Sequence, residues 1–286
     1  MGVYPRMSLA EARRTSTPTL WITFEVALSE YKSKLKVRRP EQVEWLLSDL
    51  RCNDLLSTAT KVGLVAKLQE KAATAPVMAN RMLTRWQDFF NFCVQQGWIQ
   101  ENPLAGVQRK FVGGKETSRN RVLSWEEIKS LMASPPTQYP HVLFYILLTG
   151  LRPSEAIWSL RNKVTRDIPT KTSVHSLPKS HLIHVVQRHA DKLPLPASDE
   201  TLSNAMRRKK LDYRPHDLRR TFVTRLADLG VAPHVVEKLV NHRLQGVMAV
   251  YNHAEYWPER HAAQRLWDRK LIELLRAATL SHDPSS

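Results

Sequence analysis

Apolar residues return every three or four positions along almost the entire chain, which restricts it to a fold built mainly of amphipathic helices. Phe24, Leu28 and Tyr31 form one stripe, and Val43, Leu46, Leu47 and Leu50 a second. Met82, Trp86, Phe89, Phe90 and Cys93 form a third, flanked by Arg81, Arg85 and Asp88 and stopped near Gly97, with Asn102-Pro103 behind it. This stripe reads as core, with arginines on its margin. The pattern breaks over 106–118, where Gly106, Gly113 and Gly114 sit among Arg109, Lys110 and Lys115, a short, flexible and basic linker. Helix signals resume at Ser124, which forms a capping box with Glu127. Strand signals are few: Ile168 to Thr172 and Val174 to Leu177 suggest a short hairpin, and Leu182 to Val186 a further strand or a helix start. The expected fold is therefore mainly α, a small helical bundle followed by a larger helical domain that carries a small β-hairpin.

The longest unbroken apolar run, Val142 to Leu148, has 7 residues, far short of the roughly 20 that cross a bilayer. No apolar segment follows a basic start at the N-terminus, so no secretory signal is expected. Cys52 and Cys93 lack zinc-type spacing and read as free thiols in a reducing compartment. The charge is a positive clue. Lys and Arg number 43 against 27 acidic residues, a net +16. The excess is spread along the chain: 17 basic against 11 acidic residues up to 117, and 26 against 16 beyond. Such a field favours a polyanion, nucleic acid above all, over a solvated basic surface or acidic lipid.

Four segments carry chemistry. In Thr149-Gly150-Leu151-Arg152-Pro153-Ser154-Glu155, the apolar helix stops at Gly150 and Pro153 suits the first turn of the next. Arg152 sits at that corner, able to clamp a phosphate, with Glu155 one turn on to brace it; a purely structural pair competes. Lys171, on the proposed hairpin, is by itself an ordinary edge lysine. In Pro215-His216-Asp217-Leu218-Arg219-Arg220-Thr221, His216 and Arg219 share one face at a helix N-terminus, a ready anion site. Asn241-His242-Arg243 precedes Tyr251-Asn252-His253. A tyrosine hydroxyl is a poor nucleophile unless neighbouring cations stabilise its anion, and a hydrogen-bonded core tyrosine is the plainer reading. Metal ligation by His216, His242, His253 and His261 is disfavoured, since no carboxylate or cysteine recurs among them at a ligand spacing.

The order Arg152, Lys171, His216-x-x-Arg219, His242, Tyr251 resembles the catalytic set of the tyrosine recombinase, or phage integrase, family, and the stretch from Arg214 to Tyr251 is similar to its satellite-prophage branch. The resemblance implies a helical core-type DNA-binding domain over 19–108, a basic linker over 109–117 and a catalytic domain over 118–286. Tyr4 to Arg13 looks like the tail of that branch's arm-binding domain, so 1–18 is expected to be its remnant, in a truncated integrase, a processed one or a prophage remnant. Two features depart from the family pattern: only 19 residues separate Arg152 from Lys171, and Arg161-Asn162-Lys163-Val164 replaces the usual Trp- and Asp-containing stretch.

From the same resemblance follow the expected roles. Tyr251 would attack a backbone phosphorus, Arg152 and Arg219 hold the non-bridging oxygens, and His242 add a hydrogen bond. Lys171 would protonate the leaving 5′-oxygen and His216 handle the tyrosine proton. Arg81, Arg85, Arg109, Lys110, Lys115, Arg220 and Arg243 are the expected DNA contacts. No metal, ATP or other cofactor is called for. The implied partners are double-stranded DNA, gripped in a C-shaped clamp, and a homo-tetramer in the synaptic complex formed by free monomers, with helix 258–280 reaching a neighbour. A possible excisionase and a DNA-bending host protein complete the list, in a bacterial cytoplasm near the nucleoid. The rival readings are a type IB topoisomerase, a degenerate integrase acting as a DNA-binding regulator and a basic RNA-binding module.

Overall fold

The computed structural model describes residues 22–37, 40–50, 54–117, 119–133, 139–170, 173–190, 192–242 and 251–280. Residues 1–18, Cys52, Lys171 and Arg243 lie outside them. The chain folds as two compact units, Met1–Ser118 and Arg119–Ser286.

In the first unit the described helices are α1 (Phe24–Lys34), α2 (Pro40–Leu47), α3 (Lys61–Thr74) and α4 (Pro76–Gln95). Side-chain caps set two of their starts: Thr23 accepts from the Val26 N–H and Thr60 from the Gly63 N–H. Helix α4 is the spine. Its stripe of Met82, Leu83, Trp86, Phe89, Phe90 and Cys93 is fully buried, and Phe24 and Tyr31 of α1 meet Phe89 with ring centroids 6.4 and 5.5 Å apart. The Trp86 indole N–H donates to the Leu46 carbonyl at 2.8 Å, so the buried ring leaves no orphan donor. Cys93 is a free, buried thiol whose pKa burial pushes up to about 12.

The segment after α4 corrects the expectation of a flexible linker. Arg109–Phe111 form a 3₁₀ turn, and the chain then lies against the start of α4. Asn80, wholly buried, accepts from the Gly113 N–H at 2.9 Å and donates to the Gly114 carbonyl at 3.1 Å. Gly113 comes so close that a Cβ there would stand 2.0 Å from the Pro76 carbonyl oxygen. A hydrogen-bonded, sterically fitted segment does not act as a free tether.

The second unit contains α5 (Trp125–Ala133), α6 (Pro140–Thr149), α7 (Pro153–Asn162), α8 (His181–Ala190), α9 (Asp199–Arg208), α10 (Pro215–Asp228), α11 (Pro233–Leu239) and α12 (Trp257–Leu280). A two-stranded antiparallel sheet pairs β1 (Ile168–Pro169) with β2 (Val174–His175), Ile168 opposite His175. The segment 182–186 is helix, inside α8. Its apolar residues at 183 and 186 are buried on one side, which favours a helix over a strand. The expected capping box is present at α5, Ser124 and Glu127 bonding each other's backbone N–H groups at 2.8 and 3.1 Å.

Helix α6 runs through the core, with Val142, Leu143 and Tyr145 to Leu148 buried. Its carbonyl end would hold unpaired acceptors. Helix α12 meets that need: Trp267 Nε1 donates to the Leu147 carbonyl at 3.0 Å and Gln264 Nε2 to that of Leu148 at 3.1 Å. Helix α12 also buries Ala263, Trp267, Leu271 and Leu274 in its own unit. No helix among the described residues is long and apolar enough to cross a membrane.

Candidate active site

Two helix N-termini built on the same local pattern create the site. Arg152-Pro153-Ser154-Glu155 opens α7 and Arg214-Pro215-His216-Asp217 opens α10; each has Arg at the cap, Pro at the first helical position and an acid at the third. The acid reaches back to the cap N–H in both, Glu155 Oε2 at 3.0 Å and Asp217 Oδ2 at 2.8 Å. Proline supplies the helical φ, and the carboxylate faces the positive end of the helix dipole.

Gly150 brings the two starts together. It ends α6 in the left-handed conformation, φ 66°, and a Cβ there would lie 2.4 Å from the Phe222 ring of α10. Across this close approach Arg219 donates through Nη1 to the Gly150 carbonyl at 2.7 Å and through Nη2 to the Val240 carbonyl at 2.6 Å. Arg219 is only 3% exposed. Burial, with repulsion from Arg152, lowers its pKa to about 10, leaving it a cation at neutral pH. Among the described residues, two of its five N–H donors are engaged by these carbonyls.

Arg152 is the more open cation, its side chain 40% exposed, with Nη1 held 2.8 Å from Glu155 Oε1. Burial would raise the Glu155 pKa; the His175 ring 3.6 Å away and the two bonds from Arg152 outweigh it and hold the carboxyl down at about 2. His175 is buried on β2; its Nε2 donates to the Leu239 carbonyl at 2.7 Å and its Nδ1 lies 3.6 Å from Glu155 Oε2. His216 stands at the surface of the α10 start. Partial burial and the positive charges of Arg219, Arg220 and Arg152 lower its pKa, while Asp217 opposes them, so the ring is neutral and able to accept a proton at pH 7.

His242 follows α11, with Nδ1 2.7 Å from Glu237 Oε2. With Nδ1 donating to that carboxylate, Nε2 becomes a donor only when the ring is protonated. Glu237 also acts electrostatically on Arg219, which ties His242 to the cluster. A polar cleft of about 410 Å³ is lined by Ser173, His175, Lys238, His242, His253 and Arg260. A cavity of about 690 Å³ lies elsewhere, between residues 177–184 and α12, and none of Arg152, Arg219, His216 and His242 lines it.

Arg152, Glu155, His216 and Arg219 thus share one electrostatic neighbourhood, with His242 joined through Glu237. Tyr251 is 80% exposed, and no hydrogen bond among the described residues reaches its hydroxyl. Next to Lys171, Thr170 closes the hairpin turn, its N–H and hydroxyl both donating to the Ser173 carbonyl at 2.8 Å. The short interval before this turn is accommodated by two left-handed residues, Lys163 at φ 57° and Asp167 at φ 54°.

The marginal cations differ in what they touch. Arg81, Lys110 and Lys115 are exposed, Lys110 lying over the Phe111 ring at 4.9 Å. Arg85 is held by the Tyr31 hydroxyl and Asp88, and Arg109 by the Thr84 hydroxyl. Arg220 bonds Asp217 at 2.9 Å, which also receives Arg119 at 3.2 Å. Sequence reasoning misses His175, Glu237 and Asp217. Only Asp217 carries a signal that could have found it, an acid three residues after a capping position.

The Phage integrase family profile matches residues 160–257. Prophage integrase IntZ of Escherichia coli K12 is 25% identical over 228 residues, which cover 70% of this chain and 56% of the relative, so the chain spans a little over half of that protein. Tyrosine recombinase XerD of Lacticaseibacillus casei is 23% identical over 216 residues, 63% of this chain and 73% of the relative. Among solved structures, a lambda integrase dimer bound to a COC′ core site superposes with a TM-score of 0.61 at 15% identity, over 87% of this chain and 81% of that one, a likeness of fold.

Proposed function

We propose that the chain, whose residues 160–257 match the phage integrase family, is a tyrosine recombinase of that family, and that it cuts and rejoins DNA strands at specific sites through a 3′-phosphotyrosyl intermediate on Tyr251. The observation that carries this reading is the meeting of Arg152, His216 and Arg219 at two abutting helix starts. Among the described residues, Glu155 and two backbone carbonyls are the acceptors that the two arginines engage, which leaves donors free for a phosphate.

In the proposed reaction the Tyr251 hydroxyl oxygen bonds to phosphorus as the bond to the 5′-oxygen breaks. His216 takes the phenolic proton, and Lys171 gives one to the departing 5′-oxygen. Arg152 and Arg219 hold the non-bridging oxygens, where charge builds along the path. Rejoining reverses each transfer. One phosphodiester replaces another, so the exchange is close to isoenergetic and draws on neither ATP nor a metal. His242 adds a hydrogen bond to the same phosphate, its ring held by Glu237. The division of the chain into a DNA-binding unit over 19–108, a connecting segment over 109–117 and a catalytic unit over 118–286 belongs to the same proposal. So do duplex DNA as substrate, assembly of four protomers on it and residence with the bacterial chromosome.

The test is a nicked suicide duplex taken from the borders of the element that encodes the chain. The protein is expected to become covalently attached to DNA on a denaturing gel, and Tyr251→Phe to bind without attaching. Relaxation of any supercoiled plasmid, with no preferred site, would instead point to topoisomerase activity. Tight binding without attachment by the wild type would point to a regulator.

A further inference from the structure

The segment that follows Tyr251 is held by a buried arginine to which the reaction assigns no role. Arg260, in the first turn of α12, is 2% exposed. Its Nη1 lies 3.3 Å from Glu255 Oε2 and 3.5 Å from the Glu255 carbonyl, and its Nη2 donates to the carbonyl of Ser176, just past β2. Its guanidinium stacks on Trp257, 3.9 Å from the ring centroid, with Arg166 5.5 Å from the same ring. Glu255 is held from the other side by Lys238 of α11 at 2.8 Å. Within the segment, Asn252 donates to the Tyr256 hydroxyl at 2.7 Å, and Tyr256, in the left-handed conformation at φ 51°, packs on His234 at 4.6 Å.

A buried guanidinium is costly unless it is paired. Here it joins three elements at one point: the exit of the β-hairpin, the segment carrying the tyrosine and the start of α12. Glu255 lies only four residues from Tyr251, whose own side chain is exposed and unanchored among the described residues. The geometry points to Arg260 as a positioning residue that, through Glu255, fixes where the Tyr251 segment leaves the α12 start relative to the hairpin. The role rests on Tyr251 being the nucleophile. It acts on the attack step, because a displaced nucleophile loses rate even while the DNA stays bound.

The full chain is tested on the nicked duplex by measuring the attachment rate at saturating DNA and, separately, the DNA concentration for half-saturation. Arg260→Met and Glu255→Gln are expected to slow saturated attachment by about 10²-fold and about 10-fold, the order expected for a misplaced reacting group. Half-saturation should stay within about twofold, and Arg260→Lys should recover part of the rate through Glu255. Wild-type saturated rates in both Arg260→Met and Glu255→Gln, or a loss confined to half-saturation, would overturn the role. If Arg260→Met fails to fold, Glu255→Gln, altered at an exposed side chain, decides in the same terms. Absence of attachment by the wild type would sink the nucleophile assignment itself, an outcome distinct from normal rates in the variants.

Discussion

Arg152 and Arg219 lie in one neighbourhood but carry different burdens. Arg152 is partly open and bonded to one carboxylate, whereas Arg219 is buried and bridges Gly150 to Val240. Replacing either with Ala is expected to raise the attachment barrier by about 3 kcal/mol, roughly 10²-fold in rate. Arg219→Ala should lower the melting temperature more than Arg152→Ala, because it leaves two buried carbonyls unpaired. Melting curves and saturated rates on the same variants check both halves. The Glu155 carboxyl, held at about 2 against 4.5 for a free one, favours the folded state wherever it is ionised. That contribution is complete above about pH 4.5 and is lost as pH falls toward 2. Glu155→Gln should therefore be less stable than wild type at pH 7, with the gap closing over that acid range in urea titrations. His216 has a lowered pKa, so attachment should hold its rate from pH 8 down past 6.5 and decline only in more acid solution. A decline centred above pH 7 would exclude His216 as the proton acceptor.

At the level of elements, what the sequence reveals depends on whether the deciding interaction is local. The helix starts at Ser124 and Pro153 and the stop at Gly150 follow from capping rules acting over three or four residues, and the structure has them at those positions. The hairpin at 168–175 is legible from β-branched residues around a turn. The segment 109–117 is not: its glycines suggest freedom, whereas Gly113 is required for close approach to α4, and the partner that decides this, Asn80, lies 33 residues away. His175 and Glu237 stay invisible for the same reason, since their partners Glu155 and Arg219 come together only in the folded unit. Gly150→Ala should destabilise by several kcal/mol, combining left-handed strain with a clash into Phe222, and Gly113→Ala by a comparable amount. Gly106→Ala, where φ is 73° but no atom lies within 4 Å, should lose only the strain component. Equal losses at all three sites in thermal unfolding would contradict the packing argument.

For the whole molecule, the net charge of +16 is spread over both units rather than gathered in a tail. Binding to duplex DNA is therefore expected to weaken log-linearly with salt, with a slope of about −0.9 for each phosphate neutralised. Neutralising an exposed cation such as Arg81 should reduce that slope, while neutralising Arg85, already engaged by Tyr31 and Asp88, should change it little. Fluorescence anisotropy across a salt series distinguishes the two. All of these effects surround one covalent event, and the most direct test is to isolate it. After attachment to the nicked duplex, nuclease trimming and trypsin cleavage at Arg243 and Arg260 would release a single peptide, 244–260, containing both Tyr251 and Tyr256. Fragment-ion mass spectrometry should find the 3′-phosphonucleotide on Tyr251. Its presence on Tyr256 or outside that peptide would contradict the account.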